Sequence, residues 1–202
     1  MSNLLAVGLL LFGLIWLNIQ NLVSFLNWVS HKQGGGYDAL VNLAFIMGLA
    51  KLVDLATGVN AQIIGTSNYW KFDFFTNVMF VIVSIPLNYY LIKHYDLTGL
   101  AYSNLIAYTL YNSVRFGFLY KKFNLQPYSW KHGFFLLLSI GLMLLVHQIP
   151  APQNFVLNIA IQSTVYAAGF YCLTAWINPA PEILDYFKEF GSKIIGKLFK
   201  KG

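Results

Sequence analysis

From Leu4 to Trp28 the chain carries no charged residue. Wound as an α-helix at about 1.5 Å per residue, a run of this length crosses a hydrocarbon core of roughly 30 Å. Comparable runs recur at Tyr37 to about Gly65, Phe74 to Ile92, Leu97 to Tyr120, Phe134 to Ile149 and Phe155 to Ile177. The pattern predicts an all-α, polytopic membrane protein of about six transmembrane helices. Composition points the same way. Of 202 residues, 57% are hydrophobic and 10% charged, against roughly 25% charged in a soluble domain. Twenty charged residues (13 + 7) cannot supply the polar skin that a water-soluble fold of this size needs. The solvent for most of the surface is therefore lipid.

The first run has no basic segment before Leu4 and is longer than the apolar part of a secretory signal, so it reads as a structural helix with Trp16 and Trp28 as interfacial anchors. No ten-residue stretch alternates apolar and polar residues, which argues against a transmembrane β-barrel. Pro86 falls inside the third run, where a lipid-embedded helix tolerates it. Lys93-His94-Tyr95-Asp96 reads as a short linker, Gly34-Gly35-Gly36 as a flexible outer turn, and Pro150-Ala151-Pro152 as a tight hairpin.

The formal charge of +6, spread evenly, would suggest a nucleic-acid partner. Interrupted by apolar runs, it reads instead as the cationic flanks of membrane spans, and no nucleic acid is expected. With six spans, Lys71, Arg115, Lys121, Lys122, Lys131, Lys188, Lys193, Lys197, Lys200 and Lys201 fall on one side, and Lys32 and Lys93 on the other. Basic residues concentrate on the cytoplasmic side, which predicts that both termini are cytoplasmic.

Residues 1–178 thus form a helix bundle, and residues 179–202 a tail of different character. There Ile183, Leu184, Phe187, Phe190, Ile194, Ile195, Leu198 and Phe199 recur at helical spacing, with acidic residues early and lysines late. This is the pattern of an amphipathic interfacial helix on inner-leaflet anionic lipids. It serves either as a plain anchor or as a docking tail.

Few residues could carry chemistry. Lys51 and Asp54 are three apart, share a helix face and can pair. About fourteen residues beyond Tyr37, Lys51 lies roughly 20 Å deep, so it must face protein or a water-filled cavity. The pair is either functional or a self-neutralised packing device. Arg115, near the end of the fourth run, either snorkels to the cytoplasmic interface or binds an anionic head group. Asn18, Asn21, Asn60, Asn77, Asn88, Asn104 and Asn112, with Gln20, Gln62, Ser103 and Tyr108, suggest a polar seam such as a sugar path, although a single buried Asn usually bonds a neighbouring helix.

Catalysis is not written in the chain. His31, His94, His132 and His147 stand apart, with no His or carboxylate at i+4, and one cysteine, Cys172, cannot form a multi-cysteine centre. No paired-carboxylate, Gly-x-Ser-x-Gly or Walker pattern occurs. Neither metal nor cofactor is expected, and the chain does not read as an enzyme.

An ordered series of segments resembles a known family. Gly48-Leu49-Ala50-Lys51-Leu52-Val53-Asp54-Leu55-Ala56-Thr57-Gly58-Val59-Asn60-Ala61-Gln62-Ile63-Ile64 is similar to a segment of the Wzx-type polysaccharide flippases, in the superfamily that also holds the lipid II flippase and the multidrug exporters. Ser67-Asn68-Tyr69-Trp70-Lys71-Phe72-Asp73, Pro86-Leu87-Asn88-Tyr89-Tyr90-Leu91-Ile92, Thr98-Gly99-Leu100-Ala101-Tyr102-Ser103-Asn104, Tyr111-Asn112-Ser113-Val114-Arg115-Phe116 and Lys121-Lys122-Phe123-Asn124-Leu125-Gln126-Pro127 continue it. Such flippases have two helix bundles and twelve to fourteen spans. This chain resembles the C-terminal portion, with part of the second bundle and the C-terminal helices. Either the gene product is truncated or split, or a second chain supplies the missing bundle.

The resemblance implies export of a polyprenyl-linked oligosaccharide from the cytoplasmic to the outer leaflet of the bacterial inner membrane, in polysaccharide biosynthesis, by rocking two bundles around a cationic cavity. On that reading Lys51 and Arg115 supply phosphate contacts or cavity potential, Asp54 supplies pairing or coupling, and Asn60 and Asn88 line the path. The rival is a non-transporting subunit that scaffolds polysaccharide-assembly enzymes. A membrane glycosyltransferase lacks support, since there is no acidic cluster for a metal-bound nucleotide sugar.

Overall fold

A computed structural model describes residues 2–29, 39–124, 130–149 and 155–177. These are helical almost throughout, with no strand among them: α1 (Ser2–Val29), α2 (Ala39–Thr57), α3 (Val59–Gly65), α4 (Trp70–Phe123), α5 (Trp130–His147) and α6 (Phe155–Ile177). Five, all but α3, are long and apolar enough to cross a membrane. The Gly-rich turn at 34–36, the Pro150-Ala151-Pro152 hairpin and the amphipathic tail lie outside the described residues.

Two boundaries differ from the sequence reading. The second apolar run is not one helix: it breaks at Thr57 and Gly58. The seven-residue α3 then ends where Thr66 and Ser67 turn their hydroxyls back onto the carbonyls of Gln62 and Ile64, at 2.8 and 2.7 Å. These local bonds compete with helix continuation. The second difference is at 93–96, which is not a loop. Helix runs through Lys93, His94 and Tyr95, and only Asp96 leaves helical geometry, at φ 51° and ψ −137°. That conformation is rare for a residue with a Cβ and costs of order 1–3 kcal/mol.

At Asp96, α4 folds back into an antiparallel hairpin of two arms, 70–95 and 97–123. Phe72 stacks on Phe118 at 3.8 Å, Tyr111 donates to Asn77 at 2.7 Å, and Ser103 donates to Asn88. Beside the turn, Gly99 is buried, and any Cβ there would overlap the Leu91 carbonyl. Only glycine lets the arms approach so closely. The hairpin ends at Asn124, a left-handed cap whose N–H reaches the Tyr120 carbonyl at 3.1 Å.

The remaining helices pack by small residues set against large ones, which is how helices associate when lipid removes the hydrophobic drive. Gly13 of α1 receives the Tyr166 ring of α6, and Gly48 of α2 receives Phe12 of α1. Trp16 therefore is not an interfacial anchor: its ring lies 4.5 Å from that of Phe45, inside the α1–α2 contact. Trp28 is largely exposed at its helix end. Buried Leu5, Ala6, Leu9 and Leu17 meet Phe135 and Met143 of α5 and Tyr166 and Phe170 of α6 in one core. The α4 hairpin stands outside this core and packs on α2 and α3.

Contacts between elements fix their directions. Helix α1 is antiparallel to α2 (Phe12 on Phe45) and to α6 (Asn18 on Ser163, Asn21 on Asn158). Helix α5 packs on α6 (Phe135 on Phe170, Leu142 on Gly169), and the few residues between Ile149 and Phe155, at about 3.5 Å each, are too short a stretch for the two to run parallel; α2 runs parallel to the 97–123 arm (Met47 on Asn104, Lys51 on Tyr108). The start of α1, both feet of the hairpin, the start of α5 and the end of α6 thus share one end of the fold. Among the described residues that end carries Lys71, Lys121, Lys122 and Lys131, while the opposite end carries Lys93.

Candidate functional site

Lys51 and Asp54 lie one turn apart on the face of α2 that meets the hairpin. Their charges are 3.5 Å apart. Lys51 Nζ also donates to the Tyr108 hydroxyl at 3.1 Å and lies 4.6 Å from the centre of its ring. Tyr108 stands near the middle of the 97–123 arm, itself about 40 Å long, so the cluster lies far from either end of the hairpin. The Lys51 side chain is 58% exposed and that of Asp54 33%. The pair sits on the rim of the α2–α4 seam, with ammonium donors and carboxylate oxygens still open.

Arg115 has a different fate. It does not snorkel: its side chain is 4% exposed and is locked between the arms of the hairpin. One guanidinium nitrogen donates to the Asp73 carboxylate. Nε donates to Thr76 Oγ1 at 3.2 Å, and the guanidinium lies 4.0 Å from the Tyr111 ring centre. Asn77 closes the ring of contacts, accepting from Tyr111 and donating to Asp73. An Arg fork answered on three sides is a structural clip. The sequence reading missed Asp73. The signal was there, because Asp73 and Arg115 lie at similar distances on either side of the 93–96 segment, and folding the chain at that point brings them together.

The amides do not form one seam. They divide among three contacts. Asn18 donates to Ser163 at 3.0 Å and Asn21 accepts from Asn158 at 2.9 Å, between α1 and α6. Asn77 and Asn88 join the arms of the hairpin, while Asn104 reaches the Met47 sulfur at 3.6 Å, between α4 and α2. Each is the ordinary interhelical use of a polar side chain in lipid. Asn88 is thus occupied by Ser103. Asn60 is fully buried in α3, and its Nδ2, like that of buried Asn112, finds no hydrogen-bond partner among the described residues.

Of the five candidates, only Lys51 and Asp54 come together. Arg115, Asn88 and Asn60 are held separately. Among the described residues no group of three His, Cys, Asp or Glu side chains could hold a metal ion. The cluster on α2 can offer charge and hydrogen bonds to an anionic or hydroxyl-rich molecule. No family model, curated protein or solved structure matches the chain.

Proposed function

We propose that this chain is part of a membrane transporter that moves lipid-linked oligosaccharide from the cytoplasmic to the outer leaflet. The observation that carries the reading is the exposed Lys51–Asp54 pair on Tyr108, far from the ends of the hairpin. A Lys or Asp facing hydrocarbon at mid-depth costs about 2.5–3.5 kcal/mol on insertion scales. This face of α2 and α4 therefore borders water or another protein rather than lipid. An ammonium group with donors to spare beside a phenol suits a pyrophosphate head and sugar hydroxyls. The resemblance to Wzx-type flippases motivates the substrate class and the bacterial inner membrane. It also implies a further helix bundle, on a second chain or on a longer or split product of the same gene, closing the other side of the cavity. The hairpin arms count as two of six spans, and the skew of lysines toward one end of the fold supports cytoplasmic termini.

The test is the double substitution Lys51→Leu with Asp54→Leu in the complete assembly. Removing both partners avoids the stranded charge that a single substitution leaves. Loss of glycan export at normal protein level is expected. Normal export would reject the role. The scaffold reading keeps one specific support: Arg115, the second cation assigned to the cavity, is fully engaged by Asp73 and Thr76. Normal export by the double variant would favour that reading.

A further inference from the structure

One stripe of α6 is buried along its whole length. Asn158, Gln162, Tyr166, Phe170 and Thr174 follow one another at four-residue spacing, on one face of the helix. Two of them fix what the stripe meets. Asn158 donates to Asn21 at 2.9 Å, and Tyr166 reaches past Gly13 to the Leu9 carbonyl at 3.1 Å, both on α1. Gln162 lies midway between them, so in the antiparallel α1–α6 contact it stands level with Leu17 and Asn18. It is 5% exposed, and its Oε1 is buried with no hydrogen-bond donor among the described residues. The same is true of Asn18 Oδ1. Asn18 cannot resolve this by turning its amide over. Its Nδ2 donates to the Leu14 carbonyl at 2.8 Å and to Ser163 Oγ at 3.0 Å, and a reversed amide would set oxygen against the Leu14 oxygen.

Two acceptors thus remain at one level of one helix contact, about 10 Å inside the start of α6. Leaving a buried acceptor unanswered forfeits its full desolvation penalty, so the contact calls for a group that donates twice. A bare metal cation takes about six oxygens and brings a charge that a carboxylate must offset. The acidic residues among the described ones, Asp54, Asp73 and Asp96, stand on α2 and α4, outside the α1–α6 contact. A water molecule is neutral, carries two O–H donors, and takes two to four polar partners when buried. We infer that α1 and α6 enclose a structural water molecule that donates to Asn18 Oδ1 and Gln162 Oε1. Along α6 the contact then holds an amide pair at Asn158, a hydrated amide pair at Gln162 and a phenol on a carbonyl at Tyr166. The inference is independent of transport.

The experiment uses the full chain in lipid bicelles, isotope-labelled at the Asn and Gln side-chain amides, and reads nuclear Overhauser contacts from water. A long-lived water should contact the amide protons of Asn18 and Gln162 severalfold more strongly than those of Asn104, whose Nδ2 is taken by the Leu100 carbonyl and the Met47 sulfur. Equal contacts at all three, or no contact at Asn18 and Gln162, would overturn the inference. Gln162→Met keeps the length of the side chain but not the acceptor, and should cut the contact at Asn18 severalfold. An unchanged contact would mean that no water bridges the two, which also overturns it. The comparison with Asn104 is made on the unsubstituted protein and does not depend on that variant folding. Exchanging sodium for choline in the buffer should leave the Asn18 and Gln162 resonances where they are, and a shift of both would put a cation in the place assigned to water.

Discussion

Arg115→Met strands the Asp73 carboxylate, and Asp73→Asn strands the guanidinium. Breaking a buried ion pair from one side costs about 3–5 kcal/mol, because the surviving charge stays in a low-dielectric site. The two sides of this pair are unequal. Asp73 keeps 22% side-chain exposure and lies in the first turn of α4, whereas Arg115 keeps 4%. Water can partly relieve a stranded Asp73 but barely reaches a stranded Arg115. Asp73→Asn should therefore cost near the middle of that range, and Arg115→Met about 2–3 kcal/mol, part of it from the lost contact with the Tyr111 ring. Asp73→Asn with Arg115→Met removes both charges and should recover at least half of the summed loss. Denaturant unfolding in detergent, followed by far-UV circular dichroism, gives the cycle. Additive single effects, or a neutral Asp73→Asn, would mean that Arg115 is not clipped by Asp73 and would return it to the cavity.

Two further outcomes follow from geometry. Gly99→Ala places a methyl group against the Leu91 carbonyl, which cannot move without bending the hairpin, and should destabilise the fold by about 1–3 kcal/mol. Gly117→Ala meets nothing within 4 Å and should be neutral or slightly stabilising in the same unfolding assay. Topology reporters placed after Gly202 and within residues 33–36 should report cytoplasm and exterior respectively. The same compartment for both would contradict an odd number of crossings between 36 and 202.

Helix existence was legible because it rests on apolar runs, which composition displays directly. Helix ends were less so. Tyr37 to Gly65 is continuous in hydropathy, and the break at Thr57 and Gly58 carries no strong punctuation. The 93–96 segment misled in the opposite sense. Three polar or charged residues suggest a loop, yet Lys93 and His94 remain helical, with His94 Nδ1 2.8 Å from the Tyr90 carbonyl oxygen, and a single residue reverses the chain. Partner choice was the least legible. An Asn gives the same signal whether it lines a path or bonds a neighbour, and only the pairing of Asn21 with Asn158, or of Asn77 with Tyr111, decides between them.

The two intramembrane cations show why residue type alone could not decide. A guanidinium presents a planar fork, so Asp73, Thr76 and the Tyr111 ring can engage it together between the arms of the hairpin. An ammonium is a compact point charge with three donors. At Lys51, Tyr108 takes one and Asp54 pairs at 3.5 Å, and with the side chain 58% exposed donor capacity still faces outward. Both helices meeting at that rim carry further polar groups on the same side, Asp54 on α2 and Tyr108 on α4. If the hairpin needed Lys51 only for packing, burial like that of Arg115 would serve it better, since an exposed charge at this depth is penalised by lipid without strengthening the α2–α4 contact. In a bilayer the exposure of Lys51 calls for water or another protein beside it, whereas buried Arg115 is already answered within the hairpin.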